Sequence, residues 1–203
     1  GDDVWAEDIF MAWYAARFTG EVARTGKAEL NLPIFVNAFQ AIPGRFPGQY
    51  PSGGPNHRLL DIYHAAAPAL DVLSPNAYGP NFKGTAALYA RAGNPLLIPE
   101  TGPEVGNLFW AVGHHAALAW SPFGVIEDLK PDGQLAQAYK VLSELMPLIT
   151  GWQAADKMRA ILMTDGEQPQ PVSLGGYRIT LVPPTRRSAP GNSGQAAAQT
   201  PPP

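Results

Sequence analysis

Asn94-Pro-Leu-Leu-Ile-Pro-Glu-Thr-Gly-Pro-Glu104 is the stretch on which the reading of this chain turns. Three apolar residues, Leu96 to Ile98, stand between two prolines, so residues 95–99 read as a short buried strand that stops at Pro99. Glu100 then stands at the strand's mouth. Parallel strands of α/β proteins are continuous apolar runs, and functional side chains gather where such strands end and loops begin. A carboxylate there is a candidate for chemistry; by itself it could equally be a solvated loop glutamate, and the neighbouring strands decide between the two.

Those neighbours repeat the layout. Upstream, Glu7 to Thr25 has helical periodicity in Phe10, Trp13, Tyr14 and Phe18, with Gly26 as its stop. Pro33-Ile-Phe-Val-Asn-Ala-Phe39 is an apolar strand with Asn37 near its exit, followed by a Gly/Pro-rich loop over 40–54. Loops of that length are often functional. A helix from Pro55 carries Leu59, Ile62, Tyr63, Ala66 and Leu70 on one face. Asp71-Val-Leu-Ser-Pro75 is the second strand, opening into Asn76-Ala-Tyr78, and a helix covers 85–92. After the opening stretch come a helix over 107–115, a fourth strand over 116–123 with Trp120 and Ser121 near its exit, and a helix capped by Asp132.

Four strands alternating with covering helices predict parallel βα units. No strand end carries the Gly-rich phosphate turn of a doubly wound sheet, so a barrel is the better expectation. Four units make only strands 5–8 of a (β/α)8 TIM barrel, and residues 1–7 lead directly into a helix, as an internal piece of a longer protein would. Beyond Met158 the pattern shortens: Arg159 to Met163, a turn at Asp165-Gly166, and Gly176 to Val182 read as the start of a truncated β segment. The expected organisation is therefore a partial barrel over 1–150, the entry to an accessory β domain over 151–183, and a disordered Pro/Ala/Ser-rich tail over 184–203.

Composition excludes several functions. With 45% hydrophobic residues, 15% charged residues and a formal net charge of −3, the chain is globular and lacks a polyanion-binding character, so nucleic acid is not an expected partner. The absence of cysteine removes disulfides, thiolate metal sites and a thiol nucleophile. No apolar run reaches the roughly 20 residues of a membrane span, which sets the expectation of a soluble protein, periplasmic or extracellular if a signal peptide precedes it. His114 and His115 are adjacent, so they cannot share a metal from one helix face, and His57 with His64 lacks a third ligand; neither metal nor cofactor is expected. Unpaired strand edges would favour self-association into a homo-oligomer.

The strand ends thus offer one carboxylate, Glu100; two amides, Asn37 and Asn76; a phenol, Tyr78; and the indole of Trp120, with that of Trp110 on the helix after the third strand. Amides and carboxylates bind sugar hydroxyls, and aromatic rings pack on the C–H face of a pyranose. Retaining glycoside hydrolysis needs two carboxyl groups about 5 Å apart, one the nucleophile and one the acid/base. Glu100 suits the first role, with Tyr78 placed to hydrogen-bond and orient it. Glu104, Glu127 and Asp128 are the available second carboxyls, but each lies along a loop. An aldolase or amidohydrolase would need a lysine or a His/Asp metal set at the strand ends, and none stands there.

Pro33 to Phe39, Phe46 to Pro55, Asp71 to Tyr78, Pro95 to Thr101 and Trp120-Ser-Pro-Phe-Gly124 resemble the second half of the catalytic barrel in bacterial β-galactosidase-like glycoside hydrolases of clan A, families 35 and 42. The resemblance spans roughly Trp5 to Leu148, and Leu96-Leu-Ile-Pro-Glu100-Thr, similar to the strand-seven nucleophile segment, is its most specific element. It implies that Glu100 attacks the anomeric carbon of a terminal β-galactoside or related oligosaccharide, with Tyr78 beside it. It also implies an acid/base glutamate in an Asn-Glu pair after strand four, and the sequence contains no Asn-Glu pair. The alternative expectation is a non-catalytic carbohydrate-binding or interaction fragment.

Overall fold

A computed structural model describes residues 3–125, 129–164 and 167–182. Its elements run α1 (Val4–Glu29), β1 (Phe35–Ala38), α2 (Leu60–Ala66), β2 (Val72–Ala77), α3 (Phe82–Tyr89), β3 (Leu97–Thr101), α4 (Val105–His115), β4 (Ala119–Pro122), α5 (Gln134–Ala154), β5 (Gln170–Leu174) and β6 (Tyr177–Leu181). The protein is mixed α/β: β1 to β4 form one parallel sheet in the order β1-β2-β3-β4, and β5 and β6 form a separate antiparallel hairpin. The alternation read from the sequence is present, with a helix between each successive pair of parallel strands.

The main core lies where α2, α3 and α4 meet the sheet. Leu60, Tyr63, Leu73, Phe82, Tyr89, Leu96, Ile98, Leu108 and Trp120 are all buried in one contiguous cluster. Central strand β2 is buried along nearly its whole length, whereas edge strands alternate: Phe35, Asn37, Ala119 and Ser121 are exposed while Ala38, Trp120 and Pro122 are buried. That alternation follows from the two-residue period of a strand.

Several boundaries differ from expectation. Pro99 does not end β3. The strand runs through it to Thr101, with a register irregularity between Ile98 and Thr101 that accommodates the missing N–H. Pro75 likewise sits inside β2, opposite Ala38. Helix α1 starts at Val4 because the Asp3 carboxylate accepts the Trp5 N–H at 3.1 Å, and it runs past Gly26, whose carbonyl accepts the Leu30 N–H. Helix α2 begins at Leu60 rather than Pro55, α3 at Phe82, and α5 is capped by Gly133 instead of Asp132. Residues 159–163 are not a strand; β6 pairs instead with 170–174 around Gly175-Gly176. The turn expected at Asp165-Gly166 and the tail beyond Val182 lie outside the described residues.

Helix α1 inverts the face suggested by its aromatics. It buries Ala12, Ala16, Gly20 and Ala23 and leaves Phe10 and Phe18 66% and 71% exposed. Small residues let α1 approach α2 closely: a Cβ on Gly20 would stand 2.9 Å from the Cα of Ala67. Gly20→Ala should therefore cost about 1–3 kcal/mol through overpacking, outweighing the gain of up to about 1 kcal/mol in helix propensity. Thermal unfolding checks this, and a Tm at or above that of the parent chain would show that the two helices yield.

The segment between β1 and α2, which leaves the carboxyl end of β1, is fastened by buried polar groups. Tyr63 donates its hydroxyl to the Gly53 carbonyl at 2.8 Å, Tyr89 donates to the Pro55 carbonyl at 2.7 Å, and Gln40 Nε2 donates to the Tyr89 oxygen at 3.0 Å. Arg58 lies over the Trp5 ring, 4.2 Å from its centroid, donates to the Tyr50 hydroxyl and approaches the Asp8 carboxylate at 3.6 Å. Asp8 is 2% exposed, and its Oδ1 has no hydrogen-bond partner. Burial pushes its carboxyl above the ordinary value of 3.8, outweighing the opposing pull of Arg58 and the Gly53 backbone. The fold therefore prefers the protonated form, and that contribution, present in acid, is lost as pH rises through the raised folded value. Asp8→Asn should raise Tm at pH 7 and remove this decline in melts recorded upward from pH 4. A lower Tm at pH 7 would mean that the ion pair outweighs burial.

C-terminal to α5, residues 158–164 run as an extended strap against α3 and α4. Lys83 on α3 donates to the Leu162 carbonyl at 3.0 Å and pairs with Glu167, whose carboxyl is held down at about 2 chiefly by that bond and by one from Thr164. Glycines on α4 make room: a Cβ on Gly113 would stand 2.7 Å from the Cβ of Ala160, and one on Gly106 would stand 3.1 Å from Leu162.

Candidate active site

Register brings the polar strand ends together. Asn76 of β2 stands opposite Glu100 of β3, and Asn37 of β1 stands opposite Ser74, one same-face step before Asn76. Two hydrogen bonds tie the group. Tyr78 donates its hydroxyl to Glu100 Oε1 at 3.0 Å, and Asn37 Nδ2 donates to Asn76 Oδ1 at 2.6 Å. Asn37–Asn76 and Tyr78–Glu100 are thus two hydrogen-bonded pairs, set in one row at the ends of three adjacent strands by the register of Asn76 with Glu100.

The row is open to a ligand. Tyr78 is 48% exposed and Glu100 is half-buried, with Phe35 and Phe39 exposed on and just beyond β1. Tyr78 is pushed up to about 12, first by desolvation and then by its hydrogen bond to Glu100 and that carboxylate's charge. It remains a donor across the physiological range. Behind the row, Thr101 is buried and donates its hydroxyl to the Ala77 carbonyl, pinning β3 to β2 immediately beyond Glu100.

The two tryptophans are not brought to this row. Trp120 turns into the helix layer, its ring 6.5 Å from that of Tyr139, and lines a cavity of about 470 Å³ with Leu108, Leu142 and Ile149. Trp110 is buried between Phe82 and the two histidines, stacked on His114 at 4.9 Å and edge-on to His115 at 4.9 Å. Strand alternation explains the first case, since Trp120 shares its parity with buried Pro122, and helix periodicity explains the second. Burial lowers His115 below the ordinary imidazole value, with the neighbouring His114 adding to the effect, so its packing on Trp110 favours the neutral ring.

Of the other carboxylates, Glu104 is the N-cap residue of α4 without a capping side-chain bond, and its carboxylate folds back over Gly102. Glu127 and Asp128 lie outside the described residues.

One residue that sequence reasoning passed over organises the site from below. Asn94, 0% exposed, accepts the Leu73 N–H with Oδ1 and donates Nδ2 to the carbonyls of Leu73 and Tyr89, each at 2.9 Å. Backbone pairing of β2 with β3 is recorded at Asn76 and Ala77, so lower down the carboxamide of Asn94 stands in for a strand neighbour. Its signal was a polar residue at the entrance of an apolar strand, just after Gly93 and before Pro95.

A family model described as a domain of unknown function, DUF5597, matches residues 135–202. That match begins in the first turn of α5 and includes the strap and the hairpin. No curated protein matches the chain. No helix among the described residues is long and apolar enough to cross a membrane.

Proposed function

We propose that the chain is the nucleophile-bearing half of a retaining exo-β-galactosidase-like enzyme. In this reading β1 to β4 serve as strands 5–8 of a (β/α)8 barrel, and Glu100 forms the glycosyl ester. The observation that carries it is the Tyr78 hydroxyl on Glu100 Oε1 at 3.0 Å, with Asn76 in register beside it. A phenol holding one carboxylate oxygen leaves the other to attack, and the amides supply donors and acceptors for sugar hydroxyls. Supporting the partial barrel, parallel sheets ordinarily have both faces covered. Here Phe35, Asn37, Ala119 and Ser121 are exposed, and β1 and β4 each pair with only one strand among the described residues.

Water-mediated hydrolysis needs a second carboxyl, and Glu104, turned onto Gly102, is a poor source for it. The acid/base would come from the complementary half. β-Galactosides as substrates follow from the sequence resemblance alone.

A 2-deoxy-2-fluoro-β-galactoside with a dinitrophenolate leaving group tests the assignment, since so good a leaving group departs without acid catalysis. Supplied to the chain together with the complementary half-barrel, it should add one fluorogalactosyl group to Glu100, located by peptide mass spectrometry. Labelling at another residue, or none, would remove the assignment. Binding without labelling, surviving Glu100→Gln, would favour a carbohydrate-binding fragment.

A further inference from the structure

We infer that α1 and α5 carry, on faces their neighbours leave bare, the two seams at which the complementary half-barrel docks. The inference rests on the reading of β1 to β4 as half of a barrel and adds to it the surfaces that join the halves.

Helix α1 turns Ala12, Ala16, Gly20 and Ala23 inward and packs on α2, yet it also carries Phe10, Tyr14, Phe18 and Val22 at four-residue steps, all exposed. At about 100° per residue, that second stripe lies roughly opposite the first. Helix α5 packs on α4 and reaches β4 through Tyr139, which donates to the Trp120 carbonyl at 3.3 Å. It buries Ala138, Leu142 and Ile149, whereas Val141, Leu145, Leu148 and Trp152, about a quarter turn away, are exposed. The helices between show no such stripe: of the exposed large apolar side chains among the described residues, α2 has none, α3 has Leu88 and α4 has Phe109.

Apolar exposure thus follows position along the sheet. Helix α1 leads into β1 and α5 follows β4, the two strands that pair on one side only among the described residues. Beside β4, the cavity of about 470 Å³ lined by Trp120 has exposed Leu118 and Met146 in its wall, space that an added strand and its helix would fill. A free parallel edge takes a parallel strand, and such strands come with covering helices. An occupant that matches an open edge and an apolar helix face at both ends of one parallel sheet is itself a parallel α/β unit, which the complementary half is. Phe10, Phe18 and Trp152 are the kind of aromatic anchors that dominate the affinity of such interfaces.

Sedimentation of the chain with the complementary half-barrel, and labelling by the fluorogalactoside, test this. Phe10→Lys with Phe18→Lys, and separately Val141→Lys with Leu148→Lys, should each raise the Kd between the halves at least about a hundredfold, the scale of two apolar anchors lost. These side chains are exposed in the chain alone, so its Tm should stay near the parent value, and glutamine at the same positions should weaken association without adding charge. Labelling of Glu100 at saturating complement should keep its parent rate, while the complement concentration giving half that rate rises. Leu88→Lys on α3 should change neither.

Unchanged association in either lysine pair, or an equal loss in Leu88→Lys, would overturn the inference while leaving Glu100 as nucleophile. So would a dimer of the chain alone that the same substitutions break and that excludes the complement, since the occupant would then be a second copy. Association sensitive to both pairs, without labelling at Glu100, would remove the nucleophile and leave the seams. Failure of the parent chain to bind the complement would overturn both.

Discussion

Asn94→Leu should lower the unfolding free energy by about 3–5 kcal/mol, the range for breaking a buried hydrogen-bond network. The side chains are similar in volume, so the loss is electrostatic rather than a cavity effect. Leucine would strand the N–H and carbonyl of Leu73, both now bonded to one carboxamide that is 0% exposed, whereas the Tyr89 carbonyl would keep the Arg91 N–H at 3.0 Å. Desolvation costs about 1–3 kcal/mol for each unsatisfied group, and partial relaxation of the chain keeps the sum below the simple total. For a chain of this size the corresponding fall in Tm is roughly 6–20 °C. Urea unfolding, with the slope compared between the two proteins, measures it directly. A loss below 1 kcal/mol would show that Leu73 finds other partners. The damage would also reach the row of polar residues, because Leu73 and Asn76 share β2 and the carboxamide spaces that strand from β3.

Glu100→Gln should abolish covalent labelling and reduce turnover by about 10⁴–10⁶-fold, the scale seen on removing a nucleophile. Glutamine keeps an oxygen to accept from Tyr78, so the fold and the affinity for unreacted sugar should persist. Equilibrium binding measured beside turnover separates the effects: loss of both would mean that the residue holds the site together rather than reacting in it. Tyr78→Phe is the graded companion, expected to slow labelling by about 10–100-fold with little change in Tm, since the ring is 48% exposed. The pH dependence has a fixed sign. Because Tyr78 is raised to about 12 from 10.0, its bond to Glu100 is intact below pH 10 and is lost as pH climbs through the raised value. No loss of labelling attributable to this phenol should occur between pH 7 and 9.

The sequence disclosed the order of strands and helices because apolar runs and helical periodicity are coarse signals that survive errors of a few residues. It disclosed Glu100, Tyr78, Asn76 and Asn37 as strand-end groups for the same reason, and register then placed them side by side. Prolines misled the boundaries: Pro75 and Pro99 look like stops but occupy strand positions, the latter at an irregularity that spares it a ladder bond. Aromatic periodicity marked α1 as a helix but not its buried face, since Gly20 and the alanines make the close approach to α2 and leave the large rings outward. Trp120 was misplaced because one step along a strand reverses the face, which an end position alone does not specify. Asn94 escaped notice because its value lies in two backbone groups of Leu73, 21 residues away in sequence.

The strap carries a lesson for anyone dividing this chain. A boundary drawn at the start of the matched region, residue 135, cuts between pieces that are tailored to one another, because Ala160 and Leu162 fill notches cut into α4 at Gly113 and Gly106. Grafted onto a foreign partner, the C-terminal piece would lose its seat. The portion left behind would carry two bare grooves on the helix that follows Glu100, so cooperative melting should join what sequence homology separates.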